Sequence, residues 1–300
     1  MKVRIIEVGP RDGLQNEKVP VPTEDKLDFI LALANAGIKE IEATSFVSPK
    51  WVPQLGDAAE LWPLLPPGPK YSALVPNARG LERAIELGVD RIAVFTAASD
   101  EFTRRNINMT VSESLATFGE VIRLFRATQP AGFVRGYVST AFACPFAGEI
   151  DPERTVEVAI QLKSLGCNEI SIGDTIGVAA PPEVKRLTPM LQSALPNDEI
   201  VYHFHDTRGT ALANVSAALD QGIVAFDSSA GGLGGCPYAP GAGGNLATED
   251  LVYLLERSGV PTGVDLRALA QASLPILARI GRSPAARAQL AVLAASPQTQ

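Results

Sequence analysis

Histidine is nearly absent from this chain. Its 300 residues hold two, His203 and His205, standing two positions apart. Cysteine is scarce as well: Cys144, Cys167 and Cys236 are too few and too scattered for a disulfide framework or a Cys-rich zinc site. A reducing cytoplasm is the compartment that fits. No apolar run approaches the roughly 20 residues of a membrane span. Met1 leads directly into a strand-like pattern, leaving no room for a signal or transit segment. No block of like charge marks an interaction tail, and the net charge of −7 excludes a general attraction to nucleic acid or anionic membrane. An anionic substrate therefore needs a locally positive site, built from a metal ion or a few basic side chains. The first strand-like run ends in Gly9-Pro10-Arg11-Asp12-Gly13 rather than G-x-G-x-x-G, which argues against a dinucleotide fold.

The chain does carry short β-branched or apolar runs alternating with helical patterns. Strands are expected at 3–8, 38–44, 71–75, 91–96, 133–140, 168–173, 200–205 and 223–229. Helix punctuation lies between them. Thr23 is placed to cap a helix that stops at Gly37, Asn77 and Gly88 bracket another, and Asp151 and Gly166 a third. Leu115, Phe118, Val121, Ile122 and Phe125 form an apolar stripe at helical spacing, a core face. Eight strand–helix units in series point to an α/β chain folded as a (β/α)8 TIM barrel, a fold that takes about 250 residues. We assign residues 1–282 to one catalytic barrel domain with C-terminal helices, including a helical stretch at 264–281. Residues 283–300 are expected to form an alanine-rich tail that frays.

Chemistry in such barrels collects at the C-terminal strand ends. On a strand, residues two apart share a face, so His203 and His205 project from one side of the seventh strand and can converge on one metal ion. Strands 7, 8 and 1 are neighbours in a closed barrel. Asp12, at the end of the first strand, thus completes a two-His, one-carboxylate set. Asn245 can offer an amide oxygen to the metal or cap the following helix. Glycines crowd residues 231–244, and Cys236 among them can move a proton to or from a reacting carbon. Glu7 and Glu42 interrupt apolar strands; each is expected to face the polar end of the barrel and meet a cation, with Arg11 a candidate partner. Asp174 follows the sixth strand, either as a substrate contact or as a loop cap.

These residues carry a family resemblance. The chain resembles the 3-hydroxy-3-methylglutaryl-CoA lyases of the metal-dependent TIM-barrel lyase superfamily. The matching stretches are EVGPRDGLQNEK (7–18), IEATSFVSPKWVPQ (41–54), RGYVSTAFACPF (135–146), EISIGDTIGV (169–178), HFHDT (203–207) and DSSAGGLGGCPYAPGAGGNLATEDLVYLLE (227–256). The resemblance implies a divalent cation, Mg²⁺ or Mn²⁺, held by Asp12, His203, His205 and Asn245, and an acyl-CoA substrate. It implies Arg11 as the group stabilising an enolate, Cys236 as a catalytic thiol, and Glu42 as the residue orienting Arg11. The proton of the substrate hydroxyl would leave to Asp12, His203 or a water. Gln15, Ser45, Ser171, Asp174 and Glu7 match supporting or substrate-pocket positions, and related lyases imply a homodimer. Phe204, Arg208 and Thr210 depart from the family pattern, which carries a smaller residue, Tyr and Gln there. A lyase for a longer branched substrate, and a Claisen-type acyl-CoA/2-oxo acid synthase, are the nearest alternatives. A non-haem iron oxygenase and a silent metal-binding barrel are more distant ones.

Overall fold

The computed structural model describes residues 2–235 and 244–295. Eight parallel strands close into a barrel: β1 (Arg4–Glu7), β2 (Glu40–Ser45), β3 (Lys70–Leu74), β4 (Arg91–Ala97), β5 (Phe133–Ser139), β6 (Glu169–Asp174), β7 (Ile200–Phe204) and β8 (Ala225–Ser228). Each expected strand is present, with ends displaced by at most two residues. The order around the barrel runs β1-β8-β7-β6-β5-β4-β3-β2. Its seam is the parallel pairing of Arg4 with Ala225 through Glu7 with Ser228. A two-residue hairpin, Ala143–Cys144 with Gly148–Glu149, follows β5.

Helices return the chain between strands: α1 (Thr23–Asn35), α2 (Ala58–Leu61), α3 (Ala78–Glu86), α4 (Asp100–Ile107), α5 (Val111–Thr128), α6 (Pro152–Ser164), α7 (Pro181–Gln192), α8 (Ala211–Leu219) and α9 (Thr248–Arg257). Local chemistry sets several of their ends. The Asn77 side chain accepts from the Gly80 amide at 2.9 Å, and Asp151 accepts from Glu153 at 3.0 Å. Gly37 and Gly166 turn the chain with φ of +101° and +105°. Thr23 does not cap α1. It is the first helical residue, and its hydroxyl is drawn instead to Asp57 at 3.0 Å. The apolar stripe of α5 is buried from Leu115 to Phe125.

After α9, α10 (Leu266–Ala272) and α11 (Leu274–Arg279) divide the expected 264–281 helix. Pro275 lies in the first turn of α11, where its missing amide is harmless. α12 (Arg287–Ala294) occupies the alanine-rich stretch and docks: buried Gln289 donates to the Ala270 carbonyl at 2.9 Å and to Ser273 at 2.8 Å. Among the described residues, no helix is long and apolar enough to cross a membrane.

Alternation along the strands divides the core. Residues facing outward pack against the helices in one large apolar cluster. The barrel interior is apolar only in patches, such as Ile6, Val8, Val201 and Ala225. Arg4, Glu40, Arg91, Arg135 and Glu169 fill much of the rest as an ion network.

Beyond β8, the turn Ala230–Gly232 is held by two carboxylates. Glu7 accepts from the Gly9 and Ala230 amides at 2.8 and 3.0 Å and from the Thr248 hydroxyl at 2.6 Å. Glu249 accepts from the Gly231 amide at 2.9 Å. Burial pushes Glu7 up to about 7 and Glu249 up to about 8, against the pull of these hydrogen bonds. Between the ordinary carboxylate value and these raised values, the folded chain keeps protons that the unfolded chain has lost. Stability is therefore full in mild acid and falls as pH rises toward 8, by up to about 1.4 kcal/mol per pH unit per group. Glu249→Gln should flatten that decline in denaturant titrations run from pH 5 to 8. An unchanged slope would show that Glu249 does not carry a proton in the folded chain.

Candidate metal centre

The turn that delivers Asp12 is a π-helical one. Across Gly9–Gly13 the amides of Arg11, Asp12 and Gly13 all point at the Val8 carbonyl, at 3.2, 2.7 and 3.1 Å. Gly13 is required there by close approach: a Cβ would stand 2.9 Å from both Leu233 Cβ and Ser229 Oγ. On the other side, residues 244–246 zip onto the end of β7. Asp206 donates to the Gly244 carbonyl at 3.2 Å, Leu246 to that of Phe204 at 3.0 Å, and Asn245 bridges His205.

These elements converge. One ligand atom from each of Asp12, His203 and His205 lies within 4.8 Å of the others. The two Nε2 atoms are 3.2 Å apart, and His203 Nε2 stands 3.9 Å from Asp12 Oδ2. Asn245 Nδ2 donates to Asp12 Oδ2 at 2.9 Å and to the Leu233 carbonyl at 3.0 Å. Its Oδ1 is buried without a partner among the described residues. An acceptor left bare in such a place is costly unless something electropositive meets it. Arg11 and Arg135 stand here against Asp12, Glu42 and Asp227, an excess of negative charge. Bare oxygen, paired imidazoles and excess negative charge all fit a divalent cation in a mixed nitrogen and oxygen set.

Electrostatics prepare the ligands. Burial alone would raise the Asp12 pKa, but Arg11, the two histidines and the Asn245 amide outweigh it and lower the value to about 2. Burial and the neighbouring His203 push His205 down to about 4, so it is neutral near pH 7. Burial also disfavours a charged His203, yet the hydrogen bond to Asp227 and the charges of Asp12 and Asp227 outweigh it and raise its pKa.

Arg11 and Glu42 meet as the sequence suggested. Arg11 Nη1 reaches Asp12 at 2.8 Å and Nη2 reaches Glu42 at 2.9 Å, while Nε is buried without a partner among the described residues. Glu42 also accepts from the Tyr137 hydroxyl at 2.6 Å.

Other expectations fare differently. Among the described residues, Glu7 meets no cation. The inward positions of β1 are those of Arg4 and Ile6, which turns Glu7 outward onto the amides already described. Both Asp174 oxygens are taken by loop amides, Val178 and Ala179 at 3.0 Å, which is the capping alternative. Burial raises the Asp174 pKa to about 6. Ser45 donates to the Leu74 carbonyl and accepts from the Val47 amide, both at 3.2 Å. Ser171 donates to Asp227 at 2.8 Å. Gln15 is half-buried just past the π turn. Cys236 lies outside the described residues. Phe204 points away from the centre and stacks on Tyr202 at 4.9 Å. The Arg208 guanidinium is spent on the Ile176 and Gly177 carbonyls, at 2.8 and 3.0 Å.

Sequence reasoning passed over Arg135, Tyr137 and Asp227. A signal was present: like Glu42, Arg135 and Asp227 are charged residues inside apolar strand runs.

The HMGL-like family model matches residues 2–276. The chain belongs to the HMGL-like family. A relative in Pseudomonas aeruginosa, named 3-hydroxy-3-isohexenylglutaryl-CoA/hydroxy-methylglutaryl-CoA lyase, is 49% identical over 98% of each chain. The hydroxymethylglutaryl-CoA lyase of Pseudomonas mevalonii is 50% identical, again over 98% of each. The crystal structure of hydroxymethylglutaryl-CoA lyase from Pseudomonas aeruginosa superposes with a TM-score of 0.94 at 49% identity, covering 98% of both chains. A lyase from Acinetobacter baumannii, solved with coenzyme A and 3-methylmalate, gives 0.92 at 38% identity, covering all of this chain and 97% of the other. The barrel is thus that of an HMGL-like protein.

Replacing a ligand should be read directly in metal uptake. Asp12→Asn should weaken Mn²⁺ binding, measured by calorimetry, by at least about 100-fold, beyond the 10–100-fold typical of changes one layer further out. Far-UV circular dichroism should stay unchanged. Equal affinity in the variant would remove Asp12 from the ligand set.

Proposed function

We propose that this chain is a divalent-cation-dependent lyase that cleaves 3-hydroxy-3-methylglutaryl-CoA into acetyl-CoA and acetoacetate. The observation that carries the reading is the convergence of Asp12, His203, His205 and the bare Asn245 oxygen beside the Arg11 guanidinium. The names of the close relatives support the substrate class.

Asp12, His203, His205 and Asn245 would hold the cation, Mg²⁺ or Mn²⁺, which when bound supplies the charge that lowers the pKa of the substrate's tertiary hydroxyl. Loss of that proton to a water lets the oxygen's electron pair form the ketone of acetoacetate. The C2–C3 bond breaks and its pair passes to the thioester as an enolate. Arg11 is proposed to stabilise that oxyanion. Glu42 and Asp12 fix two of its nitrogens, and buried Nε keeps a free N–H. Such a donor is worth about 3–4 kcal/mol in comparable oxyanion sites. Asp12, its pKa lowered against burial to about 2 by Arg11 and the histidines, is proposed as an anionic ligand. Protonation of C2 completes acetyl-CoA. Cys236, which lies outside the described residues, is proposed for that step from the sequence. Gln15, Ser45, Ser171 and Asp174 are proposed to support the substrate pocket. A cytoplasmic location and a homodimer are proposed on the same sequence basis.

A second substrate has an observation in its favour. The Pseudomonas aeruginosa relative carries a longer branched substrate in its name and is 49% identical, against 50% for the Pseudomonas mevalonii lyase.

Purified protein with Mg²⁺ and the thioester should release acetoacetate, and chelation should abolish it. Arg11→Gln should bind metal normally while kcat falls about 10²–10³-fold. Cys236→Ser should lower turnover far more than metal affinity. Release of acetoacetate undiminished by EDTA would overturn the metal-dependent reading. Comparing kcat/KM for the methyl and isohexenyl thioesters decides between the two substrates.

A further inference from the structure

We propose that Asp227 is the positioning residue of the metal centre: it fixes His203 as the Nδ1–H tautomer and so turns the bare Nε2 toward Asp12, His205 and Asn245. The proposal rests on the metal reading above and adds a residue that touches neither metal nor substrate.

Register brings the two side chains together. Asp227 and His203 are direct partners across β8 and β7, so both project into the barrel at one level. His203 Nδ1 lies 3.2 Å from Asp227 Oδ2. Among the described residues, the other hydrogen-bond partners of the Asp227 carboxylate are donors. Arg135 Nη1 reaches Oδ1 at 2.8 Å, and the Ser171 hydroxyl reaches Oδ2 at 2.8 Å. Arg135 cannot withdraw, because its Nε is tied to Glu169 at 2.7 Å, and Glu169 is paired in turn with Arg4 at 2.8 Å. A carboxylate held this way accepts only, so His203 Nδ1 has to be the donor. A neutral imidazole has one N–H. With it spent on Asp227, Nε2 presents its lone pair, and this is the atom 3.2 Å from His205 Nε2. Carboxylates oriented this way behind a ligating histidine fix its ring and raise its basicity. A purely structural ion pair with Arg135 would need neither the imidazole contact nor the matched register.

The chain's two histidines make the test direct. With ¹⁵N-histidine labelling of the metal-free protein, at a pH high enough that the His203 ring carries a single proton, and His205→Gln to assign the rings, His203 should show protonated Nδ1 and bare Nε2. A protonated Nε2 on His203 would overturn the proposal, and this reading needs no change at Asp227. In Asp227→Asn, the amide can donate to Nδ1 and favour the opposite tautomer. Mn²⁺ dissociation constants from electron paramagnetic resonance should rise about 10–100-fold. If wild-type protein binds Mn²⁺ and the variant matches it within about twofold, Asp227 loses its role while the metal reading stands. Wild-type protein that takes up no Mn²⁺ overturns both.

Discussion

Four residues of β1 lie in parallel register with four of β8, Arg4 beside Ala225 through Glu7 beside Ser228, and everything chemical about this protein hangs on that seam. Without it, Asp12 and the histidine pair stand at opposite ends of an open sheet. With it, β7, β8 and β1 become consecutive, and three ligand atoms some 190 residues apart in the chain meet within 4.8 Å. The π turn after β1 then sets the last ångströms. Its three amides share one carbonyl, and the turn carries Asp12 and Arg11 into contact at 2.8 Å.

Closure also creates an enclosed interior, and this one is filled unusually. Barrel interiors are mostly layers of branched apolar side chains. Here Arg135, Glu169 and Asp227 are each almost wholly buried, linked to Arg4, Glu40 and Arg91 at one end and to His203 at the other. Buried ions contribute little net stability and cost several kcal/mol when one partner is removed. What they contribute is direction: each donor and acceptor has one geometry that satisfies it. The same network that holds β5 to β6 to β8 therefore ends by holding an imidazole at the metal centre.

Charge explains the division of labour at the site. The chain carries a net −7, and the centre itself has more carboxylates than guanidinium groups. An anionic thioester is not drawn in by the protein alone. The cation that the centre fits would reverse the local sign, and Arg11 is already balanced by Asp12 and Glu42.

The sequence by itself determined a good deal: eight strands, the caps at Asn77 and Asp151, the buried stripe of α5, and the shared face of His203 and His205. All of these follow from local periodicity and from hydrogen bonds within a few residues. It also offered Arg11 as a candidate partner for Glu42, because a charged residue inside an apolar strand must find a partner. Only the tertiary structure decided which partner each remaining group found. Glu7 faces outward and meets amides rather than a cation, Thr23 answers to Asp57, and Arg208 is tied to two carbonyls. Asp227 meets His203 because of a register between strands. Alternation along a strand says which side a residue faces, while the neighbour waiting there depends on how distant strands align, and no short stretch of chain encodes that.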